Sequence, residues 1–339
     1  LASTVITAVA SVIIFTLMVF SHEFGHFIAA KKAGVMVEEF SIGMGPKVTS
    51  WKRKETKYSL RIFPIGGYVK MLGEEDKAEG EGSFHKKSLG RRMSIILAGP
   101  IMNIILAILL FSIIFFVIGT PTTVINTVME GYPADASGIQ PGDRVEYIDG
   151  ERVESWERLQ YLVSASKGEQ MEVSVNRMGQ RIMLNVFPVT DPDTGQRIIG
   201  ITPTSQKDPL GSLRLGVTRS FEVIGLMVTY LGQLVTGRAS AEDVVGAVGV
   251  IQLVNQAAKT GILNVMFLAA FLSLNLGVIN LLPIPALDGG KMVFLLVEGV
   301  RGKPIDIEKE GFIHFIGFVF LILLIIVITW KDISRFNLF

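Results

Sequence analysis

The sequence predicts a polytopic α-helical membrane protein with about four transmembrane helices, a membrane-associated β-hairpin region and one inserted α+β module. Three observations carry this. Of 339 residues, 49% are hydrophobic and the mean hydropathy is +0.48, too apolar for an ordinary water-soluble domain. The apolar residues fall in blocks: residues 4–20, 95–118 and 260–287 carry no charge, and 311–330 is almost as apolar. Between the second and third blocks, turn signals and two-residue alternation replace the apolar runs, as a soluble module requires.

Taken in order, residues 1–28 form the first span. No small-residue cleavage pattern follows the apolar run, so it is expected to stay in the protein and not to be removed as a signal peptide. Residues 95–118 are long enough to cross a bilayer as one helix. The third span, 260–298, contains Pro283 and Pro285 and cannot be one regular helix. The fourth, 311–330, ends on the interfacial Trp330 and leaves a tail, 331–339.

Lysine and arginine set the orientation. Residues 29–94 hold 14 of them against eight acids, whereas 119–261 hold 12 against 16, and the short loop 299–310 adds Arg301, Lys303 and Lys309. Positive-inside then puts 29–94 and 299–310 in the cytoplasm and the 119–261 segment outside. Net charge is only +1, which leaves no electrostatic footprint for nucleic acid. Cysteine is absent, excluding disulfides and thiolate metal sites.

Within 29–94, residues 35–72 alternate in the β manner, broken by Gly43, Gly45, Gly66 and Gly67, and read as short hairpins with glycine where another backbone comes close. Residues 74–81 are acidic and glycine-rich, a surface connection. The run Lys52-Arg53-Lys54 reads as a topology signal in contact with the lipid bilayer surface. Residues 119–205 carry Pro141-Gly142-Asp143, then Ile148-Asp149-Gly150, an amphipathic run through Trp156, Leu159 and Val163, and two strands after it. This pattern strongly resembles a PDZ domain, whose groove takes an extended peptide by strand addition. Residues 206–259 are too charged or too short to span and read as interfacial helices.

The chemistry starts at Ser21-His22-Glu23-Phe24-Gly25-His26. Two imidazoles and a carboxylate at the end of a charge-free span are costly unless something binds them. On a helix His22 and His26 share a face with Glu23 beside them, the geometry of an HExxH zinc helix in which the histidines ligate and the glutamate works on water. A catalytic zinc takes three protein ligands. The candidate for the third is Asp288, a carboxylate at membrane depth just after the two prolines, where non-helical backbone is tolerated only if it lines a cavity or is buried. His85 and His314 read as surface or packing residues.

HEFGH in the first span, Ala98-Gly99-Pro100-Ile101-Met102-Asn103 in the second, a PDZ domain, then Asn280-Leu281-Leu282-Pro283-Ile284-Pro285-Ala286-Leu287-Asp288-Gly289-Gly290 together resemble the bacterial site-2 proteases, in a single-PDZ form. The resemblance implies an intramembrane zinc metalloendopeptidase of the cytoplasmic membrane, with its active site toward the cytoplasm and its PDZ domain outside. It implies His22, His26 and Asp288 as Zn2+ ligands, Glu23 as acid/base, and Asn280 as a contact to substrate or oxyanion. Gly43, Gly45, Gly66, Gly67, Pro283 and Pro285 are the substrate-binding candidates. Expected partners are single-span membrane substrates, such as anti-sigma factors and signal-peptide remnants, with a peptide or substrate ectodomain at the PDZ groove. Gly99-Pro100 is expected to kink and pack the second span. The rival reading is a PDZ membrane scaffold with a structural metal site, which needs four closed ligands where three are found.

Overall fold

The computed structural model describes residues 2–74, 80–166, 169–192, 194–238 and 245–335; most of the acidic connection 74–81 therefore lies outside the described residues. The chain forms two compact units, one of Leu1–Ile114 with Leu213–Phe339, the other of Phe115–Ser212. Four helices are long and apolar enough to cross a membrane, over Ile6–Ala33, Leu89–Ile118, Ile262–Asn280 and Ile307–Ser334, at the four apolar blocks of the sequence.

The first helix, α1 (Ala2–Ala33), continues past the charge-free run through His22, Glu23 and His26 to a basic last turn. Lys31 and Lys32 sit in that last turn, where cations complement exposed carbonyls. Gly34 then takes φ +72° and its N–H bonds back to the Lys31 carbonyl, closing the helix. Strands β1 (Val37–Arg53) and β2 (Thr56–Met71) follow. Both fold back on themselves. Residues Val37–Ile42 pair with Gly67–Met71 on one side, while Phe40, Ser41 and Ile42 also face Tyr58, Ser59 and Leu60 on the other. The resulting order of short segments is 66–71, 37–44, 56–63, 47–53, so 66–71 is an edge. Helix α2 (Leu89–Ile118) carries Pro100 inside it.

The second unit holds β3 (Thr120–Val128), α3 (Pro133–Ala136), β4 (Arg144–Ile148), β5 (Glu151–Arg152), α4 (Trp156–Ala165), β6 (Met171–Arg177), β7 (Gln180–Val186), β8 (Val189–Thr190), β9 (Arg197–Ile198) and β10 (Ile201–Gln206). Its main sheet runs β10-β3-β4-β6-β7, with β5 on β4, around a core of Ile125, Val145, Leu159, Val173, Val175 and Val186. The two turn motifs have distinct jobs. Asp149, at φ +48°, accepts the Glu172 N–H at 2.7 Å and so ties the IDG turn to the edge of β6. Asp143, its side chain 1% exposed, receives both Arg177 nitrogens at 2.8 Å and the Gln140 N–H at 2.9 Å. This is the PDZ fold that the turns and the helix after them predict.

Back in the first unit come α5 (Pro209–Val235), α6 (Ala247–Thr260), α7 (Ile262–Asn280), α8 (Asp288–Arg301) and α9 (Ile307–Arg335). Of the helices expected to be interfacial, α6 packs one face within the helical unit and leaves Ile251 and Leu253 exposed. Val254 is fully buried with Ile14, Met18, Ala269 and Leu272, and Thr7 donates to Asn255 at 3.0 Å. Asp332 of α9 accepts the Gly249 N–H at 2.9 Å near the start of α6. A helix too short to cross thus packs one face against α1 and α7.

Candidate metal centre

Three side chains from distant parts of the chain converge. Asp288 Oδ2 lies 3.1 Å from His22 Nε2 and 3.4 Å from His26 Nε2, and the two Nε2 atoms are 3.2 Å apart. The side chains are 12%, 9% and 16% exposed for His22, His26 and Asp288. Among the described residues, this is the group of His and carboxylate side chains whose ligand atoms all fall within 4.8 Å of one another.

Local sequence explains how each arrives. His22 and His26 stack one turn apart on α1 with rings edge to face at 4.8 Å. Gly25, between them, lets α1 approach α2 until a Cβ would collide with the Ala98 carbonyl. Asp288 opens α8 after the break at 281–287, where Ala286 takes φ +77°. That break folds onto the first turn of α8 because Gly289 and Gly290 have no Cβ; one would meet the Leu281 and Leu282 carbonyl oxygens, the other that of Ile284 at 2.5 Å.

The residues fit a divalent metal with nitrogen and oxygen ligands. His26 Nδ1 is 2.8 Å from the Ile95 carbonyl, which only accepts, so the hydrogen sits on Nδ1 and Nε2 presents its lone pair. Asp288 Oδ2 is buried with no hydrogen-bond donor. Lone pairs aimed at one point repel each other unless a cation joins them. Gly99 completes the cradle, since a Cβ there would collide with His26 Nε2 and lie 2.9 Å from His22 Cε1.

A cavity of about 250 Å3 opens on this centre, lined by His22, Glu23, His26, Tyr68, Val69, Met71, Asn280 and Asp288 among others. Glu23 and Asn280 thus share one space with the three candidate ligands. Of the glycine candidates, Gly67 is the one brought to the site: a Cβ there would sit 3.1 Å from Glu23 Cγ. Gly66 packs on Met44, and Gly43 and Gly45 pack on Phe63, at the bends of the hairpins. Pro285 packs under Gly317 of α9, and Pro283 shapes the break without lining this cavity.

The model of Peptidase family M50 matches residues 10–324. The chain belongs to this family. Relatives agree over their whole lengths. A relative from Clostridium acetobutylicum, described as a zinc metalloprotease, is 40% identical over 96% of both chains. Zinc metalloprotease RasP of Geobacillus kaustophilus is 33% identical over 100% of both, and the regulator of sigma-W protease RasP of Bacillus subtilis is 34% identical over 97% of this chain and 98% of its own. Among solved structures, the PDZ domain of an SdrC-like protein from Listeria monocytogenes aligns over 25% of this chain and 88% of that one, at 20% identity and a TM-score of 0.23; the PDZ assignment rests on the strand order above and not on that alignment. The protein is a membrane-bound zinc metalloendopeptidase of the site-2 protease type.

One contact to the break before Asp288 is not foreshadowed by the sequence. His314, expected only to pack, accepts the Ala286 N–H on Nδ1 at 2.8 Å and thereby holds the break that precedes Asp288. Its single sequence signal is a polar ring at the start of an apolar span, which does not name its partner.

Proposed function

We propose that this M50 peptidase cuts single-span membrane proteins within or beside their transmembrane segments, anti-sigma factors and signal-peptide remnants being the substrate classes. The observation that carries the reading is the convergence of His22, His26 and Asp288 beside Glu23 on a helix long and apolar enough to span a membrane. These three residues hold the zinc, which when bound supplies a Lewis acid and a water acidified toward neutral pH. Glu23 accepts the proton of the attacking water and delivers it to the leaving nitrogen. Asn280, in the same cavity, donates its amide to the developing oxyanion, a contact whose removal typically costs about 2.7–4 kcal/mol.

A helical substrate hides its peptide bonds and has to be extended before attack. The edge segment 66–71 carries Tyr68, Val69 and Met71 into the cavity wall and is placed to add the substrate as a further strand. The PDZ domain takes a peptide or substrate ectodomain and screens what reaches the site. The lysine and arginine distribution supports a bacterial cytoplasmic membrane location with the catalytic end of α1 toward the cytoplasm and the PDZ domain outside. The name of the Bacillus subtilis relative, a regulator of sigma-W, favours anti-sigma substrates. Among the described residues three side chains converge as ligands, the number a catalytic zinc takes where a structural one takes four.

The test is cleavage of a panel of single-span substrates in detergent by wild type and Glu23→Gln, with zinc measured in both. Wild type is expected to cut and Glu23→Gln to retain zinc without cutting. Equal processing by the two proteins overturns the assignment of Glu23.

A further inference from the structure

His22 and His26 are backed by different groups. Behind His26 stands the Ile95 carbonyl, which fixes where the ring hydrogen sits. Behind His22 stands a side chain: the amide of Asn103, on α2, with Nδ2 placed 3.3 Å from His22 Nδ1. Asn103 is completely buried, and its backbone carbonyl accepts the Ser273 hydroxyl of α7 at 2.9 Å, which fixes the main chain there. Its Oδ1 is buried without a hydrogen-bond donor.

An amide can present either end, since oxygen and nitrogen have nearly the same shape. With Nδ2 toward the ring, His22 Nδ1 accepts, and the ring hydrogen sits on Nε2, between Asp288 and His26; that ring cannot ligate. With Oδ1 toward the ring, Nδ1–H donates to it and the Nε2 lone pair points at the same spot as those of its two neighbours. Turning the amide exchanges an unpaired oxygen for an unpaired N–H, so hydrogen bonding alone does not choose between the two. Metal binding does.

We propose that Asn103 is the positioning residue of His22, its amide oxygen accepting from Nδ1–H in the zinc-loaded protein. The proposal rests on the ligand assignment above. It gives each histidine ligand an oxygen acceptor from α2, a backbone one for His26 and a side-chain one for His22. It also gives Asn103 of the Ala98–Asn103 stretch a role distinct from helix packing.

The experiment measures zinc affinity of the full-length protein in detergent by chelator competition, and the visible spectrum of the cobalt(II)-substituted protein. Asn103→Leu keeps the branching and heavy-atom count of the side chain, in a larger volume, and removes the acceptor; zinc binding is expected to weaken by about 10–100-fold, with shifted cobalt bands. Asn103→Asp keeps the acceptor and is expected to bind near wild-type strength with an unshifted spectrum. Wild-type affinity in Asn103→Leu overturns the proposal, as does equal weakening in both variants. If metal-free Asn103→Leu shows no cooperative unfolding, Asn103→Asp decides alone: a folded protein with tenfold weaker zinc sinks the idea. His22→Ala is measured alongside. Wild-type zinc binding in that variant defeats the ligand assignment itself, whereas zinc loss there with none in Asn103→Leu defeats only the role of Asn103.

Discussion

At the scale of residues, the glycines around the centre do work that side chains elsewhere do. Gly25 and Gly99 let α1 and α2 touch, and Gly99 faces the histidine rings directly. Gly99→Ala would force a methyl group against Nε2 and Cε1 of His26 and Cε1 of His22, the two rings that line the centre. The variant is therefore expected to lose most of its bound zinc on dialysis against a mild chelator while wild type keeps it. Zinc retention equal to wild type would show that the rings can retreat. Gly25→Ala meets the Ala98 carbonyl instead, so its expected fault is helix packing, read as a lowered unfolding temperature of the metal-free protein.

At the scale of elements, the break between α7 and α8 is a strained connection held from outside. Ala286 has a left-handed φ of +77°, uncommon for a residue with a Cβ, and His314 on α9 accepts its N–H. His314→Ala removes that acceptor; catalytic turnover is expected to fall by up to about tenfold, the order of one lost hydrogen bond. His314→Asn, which can place an oxygen near the Nδ1 position, is expected to recover much of it. Failure of Asn to rescue would assign His314 a different task. In the PDZ unit, burial alone would raise the Asp143 pKa, but the Arg177 guanidinium and the Gln140 N–H outweigh it and hold the carboxyl below its usual range. A depressed carboxylate stabilises the fold above the unfolded pKa, near 3.9, and that stabilisation is lost as pH falls through the lower folded value. Unfolding of this unit should thus occur at lower temperature at pH 3 than at pH 6. Asp143→Asn should lower stability at pH 6 and flatten the dependence.

At the scale of the molecule, the two compact units predict separate responses to metal. All three candidate ligands belong to the helical unit, so zinc should stabilise that unit by mass action, about 2.7 kcal/mol at a free concentration of 100 times Kd. The three tryptophans divide usefully: Trp156 lies in the PDZ unit, Trp51 and Trp330 in the other. Fluorescence of a protein whose only tryptophan is Trp156 should show a melting curve unmoved by zinc, whereas one retaining Trp51 and Trp330 should shift upward by several degrees. An equal shift in both would mean that the units unfold together.

The amino-acid sequence by itself determined the four spans, the HExxH helix, the break before Asp288 and the PDZ turns. Each is written locally, in an apolar run of bilayer length, a four-residue spacing, a pair of prolines or a short turn motif. It also nominated Asp288, since a carboxylate at membrane depth needs a partner. Only the tertiary structure decided that Asn103 and His314 stand behind the centre and that Gly99 is its floor. It alone sorted Gly67 from Gly43 and Gly45, because the folding back of β1 and β2 determines which segment becomes the edge beside Glu23. It also chose the partners of the packed face of α6, Val254 lying against Ile14, Met18, Ala269 and Leu272. These are contacts between residues far apart in the chain, and neither periodicity nor spacing within a segment encodes which partner another helix will bring.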